Sequence, residues 1–229
     1  LRAVTPELGG KGGGGRPGDT DGLGSSASLD CLAFYYFAKL SGLVPLVGIA
    51  SGRNFAGNAA LLGCCDVVIA TRNANIGMGG PAMIEGGGLG VYPPEAVGPT
   101  TVQYPNGVID VLVDDEAQAV QVAKKYLGYF QGSLGDWQAP DQRLLRHLIP
   151  ENRLRVYDVR TVIHGLADCD SVLELRAGFA PGMITALARF EGRPVGIIAN
   201  NPQHLAGAVD APGADKAARF MQLCDAFDI

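Results

Sequence analysis

The sequence gathers its glycines into a few short clusters, and this feature limits the possible folds more than any other. Glycine accounts for 33 of the 229 residues, about twice its usual share of roughly 7%. Because glycine weakens the interior of helices and strands, the clusters at residues 12–18, 77–81 and 86–90 divide the chain into short elements. Glycine is also favoured where backbone approaches a ligand closely. We therefore interpret the clusters as binding loops rather than linkers.

The bulk composition predicts a globular chain with a substantial core. Apolar residues make up 47% of the sequence and charged residues 18%, which suits one large domain, or one domain and part of another. A net charge of −5 argues against binding to nucleic acid, and the scattered lysines and arginines argue against a basic membrane-binding patch. The longest clean apolar run, residues 43–50, is too short to cross a membrane.

The five cysteines indicate a reducing environment. They form no CxxC pair and lie in apolar settings, so we expect reduced, mostly buried thiols. The first residues also lack the apolar stretch of a secretory leader. Together these features predict a cytoplasmic protein.

Short strands and helices alternate along the first two thirds of the chain. We predict helices at about residues 28–40 and 55–65, and strands at residues 43–50, 66–70 and 109–113. Residues 51–54 read as a turn, and residues 75–90 show no period. Asp114 is the predicted N-cap of a helix that runs to about Phe130. This alternation predicts an α/β fold, or an α+β layered one.

A change to polar and turn residues at 131–140 predicts a domain boundary between there and Pro150. We divide the chain into residues 1–145 and 146–229. The second part is predicted to hold a helix at 157–166, a strand at 171–176 and a hairpin of residues 183–190 with 194–200. A helix at 213–227 is predicted to bury Ala217, Phe220, Met221 and Cys224. Since Ile229 falls where the next strand is expected, we expect the second part to be truncated.

Familiar catalytic motifs are absent from the sequence or weak. Gly13, Gly15 and Gly18 match a dinucleotide-binding GxGxxG, but no convincing strand precedes them and a polyglycine run matches almost automatically. There is no GxSxG, the three histidines have no nucleophile in a recognisable motif, and no metal-ligand spacing occurs.

The features that remain as candidates for a site are the glycine turns and the helix start at Ala56-Gly57-Asn58. Exposed N–H groups at such turns stabilise a developing oxyanion, which suits enolates made from thioesters. Flexible surface loops are the alternative interpretation.

Three ordered segments resemble the crotonase superfamily. They are residues 51–60 (SGRNFAGNAA), 65–70 (CDVVIA) and 73–77 (NANIG). Within that superfamily, the chain looks most like the carboxyltransferase component of biotin-dependent acyl-CoA carboxylases. The features that carry this closer resemblance are the MGGP turn at residues 78–81, the NGVID segment at 106–110, the GRPVGIIANNP segment at 192–202 and the DKAARFM segment at 215–221.

The resemblance implies a crotonase-like ββα spiral, with most of an N-terminal half-domain and the start of a C-terminal half-domain. Such halves face each other across a homo-oligomer. The family moves a carboxyl group from carboxybiotin to the α-carbon of an acyl-CoA, so the implied partners are an acyl-CoA substrate, a biotin carboxyl carrier and a biotin carboxylase. Biotin would be present as carboxybiotin on a carrier domain or subunit, and no cofactor would be bound directly by this chain. Residues 1–11 are atypical, since Lys11 stands where the family has an acidic residue, and half of the biotin site is expected to be missing.

The resemblance also assigns site residues. The family's Asp-Ser-Gly-Gly-Ala-Arg turn aligns with residues 11–16, so Gly13 and Gly14 inherit an oxyanion role, and Arg16 is expected to contact CoA or fix the loop. Gly57 and Asn58 match the paired glycines of the following helix start. The remaining predicted residues shape the wall of the substrate site: Gly79, Gly80, Pro81, Gly86, Gly87 and Gly88.

Two rival functions stay open. A hydratase or isomerase of the crotonase type would need a carboxylate to move protons, and Glu85 is the acidic candidate in the right region. A remnant that binds only CoA or a partner subunit would have no catalytic activity. Hydration of a crotonyl thioester, or CoA binding without turnover, would distinguish these rivals.

Overall fold

A computed structural model describes residues 32–152 and 154–229 of the chain. Its described residues fall into two units, residues 32–41 and residues 42–229 without 153. The described part of the first unit holds helix α1 (Leu32–Ala38), which falls within the predicted helix at 28–40. Beside it the ammonium group of Lys39 lies 4.4 Å from the centre of the Tyr35 ring.

The second unit alternates short strands and helices, as predicted. Its first part contains β1 (Val47–Ala50), β2 (Arg53–Phe55), α2 (Gly57–Gly63), β3 (Val67–Thr71), β4 (Asn75–Gly77), α3 (Pro81–Gly86), α4 (Thr100–Gln103), β5 (Val111–Val113) and α5 (Glu116–Gly128). Its second part contains α6 (Val159–Leu166), β6 (Leu173–Leu175), β7 (Met183–Phe190), β8 (Arg193–Asn200) and α7 (Ala211–Ala226).

Two successive ββα repeats build the first part of this unit. Strands β1, β3 and β5 form a parallel sheet in the order β1-β3-β5, while β2 pairs in parallel with β4. The first strand of each repeat therefore joins one sheet and the second strand joins another. This arrangement is the ββα spiral that the resemblance implies. Strands β6, β7 and β8 form a separate antiparallel sheet.

The central strand of the parallel sheet, β3, is buried on both faces. All five residues of β3 are buried, and their side chains alternate between the faces because a strand has a period of two. Val67 and Ile69 face a core shared with α5, α7 and the antiparallel sheet. Val68 and Ala70 face a second core shared with α2. A strand covered on both faces reads as a continuous apolar run, which explains why the sequence predicted β3 correctly.

The antiparallel hairpin also follows the prediction. Strands β7 and β8 pair along eight residues each, and Glu191 and Gly192 connect them with φ angles of 51° and 77°. Positive φ at both central residues is typical of a two-residue hairpin turn.

Several predicted elements differ from the structure. The strand predicted at 43–50 begins only at Val47, because Leu43 is exposed and Pro45 has no N–H to donate. The turn predicted at 51–54 contains most of β2, and the aperiodic stretch 75–90 contains β4 and α3. Asp115, not Asp114, caps α5 by accepting a hydrogen bond from the Gln118 N–H at 2.8 Å.

The prediction of which residues the last helix, α7, buries was partly wrong. Phe220 is buried, but Met221 is 54% exposed and Lys216 is buried in its place.

The expectation of mostly buried thiols also fails among the described cysteines: Cys65 is buried and Cys224 partly buried, while Cys64 and Cys169 are exposed. Burial, followed by the charge of Asp66, raises the pKa of Cys65 to about 11.

The predicted boundary between residues 145 and 146 lies inside the second unit. Segments on either side of it are closely joined: the Arg176 Nε donates to the Asp110 carboxylate at 2.9 Å, and a Cβ at Gly107 would lie 2.9 Å from the Phe179 ring. The division into 1–145 and 146–229 stays a prediction.

Candidate active site

The parallel pairing of β2 with β4 brings two predicted site segments together. Phe55 and Gly77 are paired in register at the ends of these strands, and the Ala56 N–H donates to the Gly77 carbonyl at 3.1 Å. Helix α2 starts directly after β2, and the turn to α3 starts directly after β4. Both glycine-containing turns thus leave the same edge of the strand pair.

Helix α2 begins with an unusual backbone conformation at Ala56. This residue has φ 52° and ψ −121°, a region that residues with a side chain seldom adopt. Backbone strain of this kind costs roughly 1–3 kcal/mol. It turns the chain sharply, so that Gly57 and Asn58 occupy the first two positions of the helix. Ala56, the N-cap residue, has no polar side chain to cap this end of α2, and the first N–H groups of a helix have no partner within it.

The second turn holds Gly79, Gly80 and Pro81. Gly80 is the N-cap of α3, and Pro81 occupies its first turn, where the missing N–H costs nothing. A Cβ at Gly80 would lie 3.5 Å from the Phe55 ring, whereas one at Gly79 would have, among the residues that the structure describes, only Met83 nearby, at 3.8 Å. Gly80 is thus packed against β2, while Gly79 leaves space beside the backbone.

The other predicted site residues lie elsewhere. Gly86 is the last residue of α3 and Gly87 its C-cap. Given the usual rise per helical residue, Gly86, Gly87 and Gly88 therefore lie about 9 Å along the helix from the glycine turn at its start. They are exposed and end the helix. Gly13, Gly14 and Arg16 lie outside the described residues.

A set of side chains that the sequence did not single out supports β4 from outside. The Asn75 side chain donates to the carbonyls of Glu95 and Val97, both at 3.0 Å, and the Gln103 side chain donates to the Ile76 carbonyl at 2.6 Å. The Ile76 N–H donates to the Gly98 carbonyl at 2.8 Å. These bonds hold residues 95–98 beside β4. Of the residues that support β4, only Gly98 carries a signal in the sequence, because it is a glycine directly before a proline.

Among the residues that the structure describes, few charged side chains lie near the two turns. Glu85 is exposed on α3, and Arg53 forms an exposed ion pair with Glu95. In the part of the chain that the structure describes, no group of three metal-ligating side chains forms. The arrangement therefore offers uncharged backbone donors and space beside glycine, which suits a neutral thioester that becomes an enolate.

A cavity of about 480 Å³ lies in another part of the second unit, beyond the C-terminal end of α5. Two of its charged side chains are already engaged: Arg189 donates to the carbonyls of Gly128, Gly132 and Gly192, and Asp168 accepts from two backbone N–H groups. None of the predicted site residues lines it. It is therefore distinct from the candidate active site.

No helix within residues 32–152 and 154–229 has the length and apolar character needed to cross a membrane.

Comparisons with known proteins give a consistent result. The carboxyl transferase domain family matches residues 13–229. The chain is 37% identical to the uncharacterized carboxylase YngE of Bacillus subtilis over 207 residues, which is 86% of this chain and 40% of that protein. It is 34% identical to the beta6 subunit of the biotin-dependent acetyl-/propionyl-coenzyme A carboxylase of Mycobacterium bovis, over 86% of this chain and 42% of that one. The chain spans about two fifths of the length of these relatives.

A solved structure resembles the described fold closely. It is that of a single-chain, multi-domain long-chain acyl-CoA carboxylase, with a TM-score of 0.88 and 59% sequence identity. The match covers 94% of this chain and 22% of that one.

Proposed function

Because the chain belongs to the carboxyl transferase domain family, we propose that it forms part of the carboxyltransferase of a biotin-dependent acyl-CoA carboxylase. The observation that carries the proposal is the pairing of β2 with β4, which brings two glycine turns together in a domain that matches this family over residues 13–229. The reaction transfers a carboxyl group from carboxybiotin to the α-carbon of an acyl-CoA.

The bond changes define what the protein must supply. The α-carbon loses a proton and forms a new C–C bond to the carboxyl carbon. Carboxybiotin supplies that carboxyl group as its C–N bond breaks, and the ureido nitrogen takes up the proton. The α-carbon is acidic only if negative charge on the thioester oxygen is stabilised. Backbone N–H groups at Gly57 and Asn58, and at the Gly13 and Gly14 turn, are the proposed donors.

The substrate wall is proposed to include Gly79, Gly80 and Pro81, since Gly79 leaves room for close approach. Gly86, Gly87 and Gly88 would act at a distance, by ending α3. The proposed partners are a biotin carboxyl carrier and a biotin carboxylase, on the same polypeptide or on other subunits. We infer that copies of the protein pair, so that an N-terminal half faces a C-terminal half, and that the protein is cytoplasmic.

Transfer of a labelled carboxyl group tests this function. The purified full-length gene product is incubated with labelled carboxybiotin and an acyl-CoA, and label in the acyl-CoA product is measured. We expect stable labelling that depends on both substrates. Binding of CoA without any transfer would support the non-catalytic alternative and contradict the proposal.

A further inference from the structure

The side chain of Phe55, the last residue of β2, contacts the turn that follows β4 at two glycines. A Cβ on Gly77 would lie 3.6 Å from Phe55 Cδ1, and a Cβ on Gly80 would lie 3.5 Å from Phe55 Cδ2. These are the two ring carbons next to Cγ, so each edge of the ring faces one glycine. Because neither glycine has a side chain, the ring lies close to the backbone of the turn at both points.

Phe55 also immediately precedes the strained residue at the start of α2. Ala56 has a φ of 52°, and its N–H donates to the Gly77 carbonyl at 3.1 Å. A strained backbone conformation persists only where the surrounding structure holds it in place. The hydrogen bond of Ala56 and the ring of Phe55 both reach the same turn. Together they connect that turn to the helix start that presents Gly57 and Asn58.

The Phe55 contacts differ from the others that support this turn. A Cβ on Gly77 would also lie 3.3 Å from Val97 Cγ1, and residues 95–98 are bonded to β4. Those contacts hold β4 from a separate loop. Phe55 instead belongs to the strand that runs directly into α2. A side chain in this place sets the distance between the two glycine turns.

Resting on the proposed function, we propose that Phe55 is a positioning residue for carboxyl transfer. Its ring holds the backbone donors of Gly57 and Asn58 at a fixed distance from the substrate wall at the start of α3. Phe55 acts through the backbone of both turns and does not itself touch the reacting atoms. A misplacement of about 1 Å can reduce the rate of an enzyme roughly 100-fold. Loss of the ring should therefore lower kcat more than it weakens the binding of substrate.

Three substitutions remove different parts of this contact. Phe55→Ala removes the whole ring, and Phe55→Val, the milder variant, still lacks both δ carbons. Phe55→Leu keeps carbons at the γ and both δ positions, which are the ring positions that face the glycines. Phe179→Ala is the matched control, because Phe179 is also partly buried and its Cγ and Cδ1 lie 2.9 and 3.0 Å from the Cβ position of another glycine, Gly107.

Each variant of the full-length gene product is measured in three ways. Carboxyl transfer gives kcat and KM with acetyl-CoA or palmitoyl-CoA, whichever the parent carboxylates faster. Urea unfolding gives the stability. Hydrogen exchange, followed by mass spectrometry, reports on the backbone of residues 54–60 and 75–84, which include both turns.

For Phe55→Ala we expect kcat to fall at least about tenfold, the KM for acyl-CoA to stay within about threefold, and exchange to become faster in both segments. Phe55→Val should change in the same direction, and it replaces Phe55→Ala if that variant does not fold. Phe55→Leu should restore most of kcat. Phe179→Ala should lose stability but keep kcat within about twofold.

A loss of kcat in Phe55→Ala no larger than that in Phe179→Ala would overturn the inference. A loss of kcat without faster exchange in the two segments would also overturn it, because the ring would then not hold the turns. Failure of the parent to transfer a carboxyl group to either acyl-CoA would contradict the proposed function. In that case faster exchange in Phe55→Ala would still identify Phe55 as the residue that joins the turns, and unchanged exchange would overturn both proposals.

Discussion

At the scale of single residues, Gly98 fixes the position of β4 beneath the candidate site. Its φ of +57° lies in the left-handed region, and a Cβ there would overlap with the carbonyl oxygen of Ile76. The Gly98 carbonyl in turn accepts the Ile76 N–H. Two separate constraints, backbone conformation and lack of space, thus require glycine at this position.

We expect Gly98→Ala to lower the free energy of unfolding by about 3 kcal/mol, because it combines left-handed strain with a backbone clash. Gly42→Ala is the control: Gly42 also has positive φ, +74°, but no atom of the described residues lies within 4 Å of its Cβ position. That variant should lose only about 1 kcal/mol. Urea unfolding of the purified protein measures both. Equal losses in the two variants would show that the contact with Ile76 is unimportant.

Lys216 is a second residue whose surroundings decide its behaviour. Its side chain is 1% exposed, and its ammonium group donates to the Phe179 carbonyl at 2.9 Å. Desolvation lowers the pKa of Lys216 to about 8, against the opposing effect of Glu174, while Arg160 and Arg176 also lower it. In the unfolded chain a lysine pKa is about 10.4.

This difference predicts a pH dependence of stability. Below pH 8 both states carry the proton, and the folded state bears the full cost of a buried charge. Between about pH 8 and 10.4 the folded state releases its proton first, so the contribution of Lys216 to stability increases with pH by up to about 3 kcal/mol. The measurement is the difference in unfolding free energy between the parent and Lys216→Met across this range. A difference that stays constant with pH would refute the buried, low-pKa lysine.

At the scale of elements, one buried ion pair joins the end of β6 to the start of β5. The Asp110 carboxylate is 5% exposed; it accepts from Arg176 Nε at 2.9 Å and from the Val68 N–H at 2.8 Å. The Asp110 carbonyl also accepts the Arg176 N–H at 2.8 Å. Burial raises the pKa of Asp110, while Arg176 opposes this shift. The antiparallel sheet is therefore attached to the parallel sheet through a pair whose members depend on each other.

Removal of the arginine should destabilise the protein by about 3 kcal/mol, since it leaves the buried Asp110 carboxylate unpaired; removal of the aspartate should cost less, because Arg176 keeps part of its exposure. Asp110→Asn and Arg176→Met are the single variants, and their combination should cost at least about 1 kcal/mol less than the sum. A double-mutant cycle in urea measures this coupling. Strictly additive losses would mean that the two side chains act independently.

Elements with a clear sequence signal were predicted, including the three-residue strands β5 and β6, whereas β2, β4 and α3 were not. The hairpin of β7 and β8 has eight residues in each strand, enough for apolar patterning and a turn to be read. Strands β2 and β4 have three residues each, too few to show a period, and each is stabilised by pairing with the other. Helix α3, at six residues between glycines, was missed for the same reason.

At the scale of the whole molecule, the candidate site depends on contacts that sequence alone does not reveal. Resemblance to the family marked Gly57, Asn58 and the turn at Gly80, but the strand pairing that brings them together came from the structure. Gln103, which holds β4, carried no motif, and Phe55, which packs against Gly80, lies in a family-like segment that gave it no role. A side chain that supports a backbone turn from outside leaves no pattern in a single sequence, because many residue types serve equally well.

The class of reaction is the last property decided at this scale, and Glu85 distinguishes the two enzymatic possibilities. In a hydratase or isomerase a carboxylate must exchange protons with the substrate. When backbone N–H groups stabilise the enolate in carboxyl transfer, no carboxylate side chain needs to exchange protons with the substrate. The structure leaves Glu85 exposed on α3. We therefore expect Glu85→Gln to change the rate of carboxyl transfer by no more than about twofold, and we expect no hydration of crotonyl-CoA by either protein.

The two reactions are measured on the same preparations, by label in the carboxylated acyl-CoA and by loss of the crotonyl absorbance. Gly80→Val is the companion variant, because a branched side chain against Phe55 should displace the turn. It should reduce carboxyl transfer by at least about tenfold, both with Glu85 and with Gln at that position. Crotonyl-CoA hydration that disappears in Glu85→Gln would assign the chain to the hydratase chemistry. It would also show that the glycine turns position a substrate for a side-chain acid, instead of stabilising an enolate by themselves.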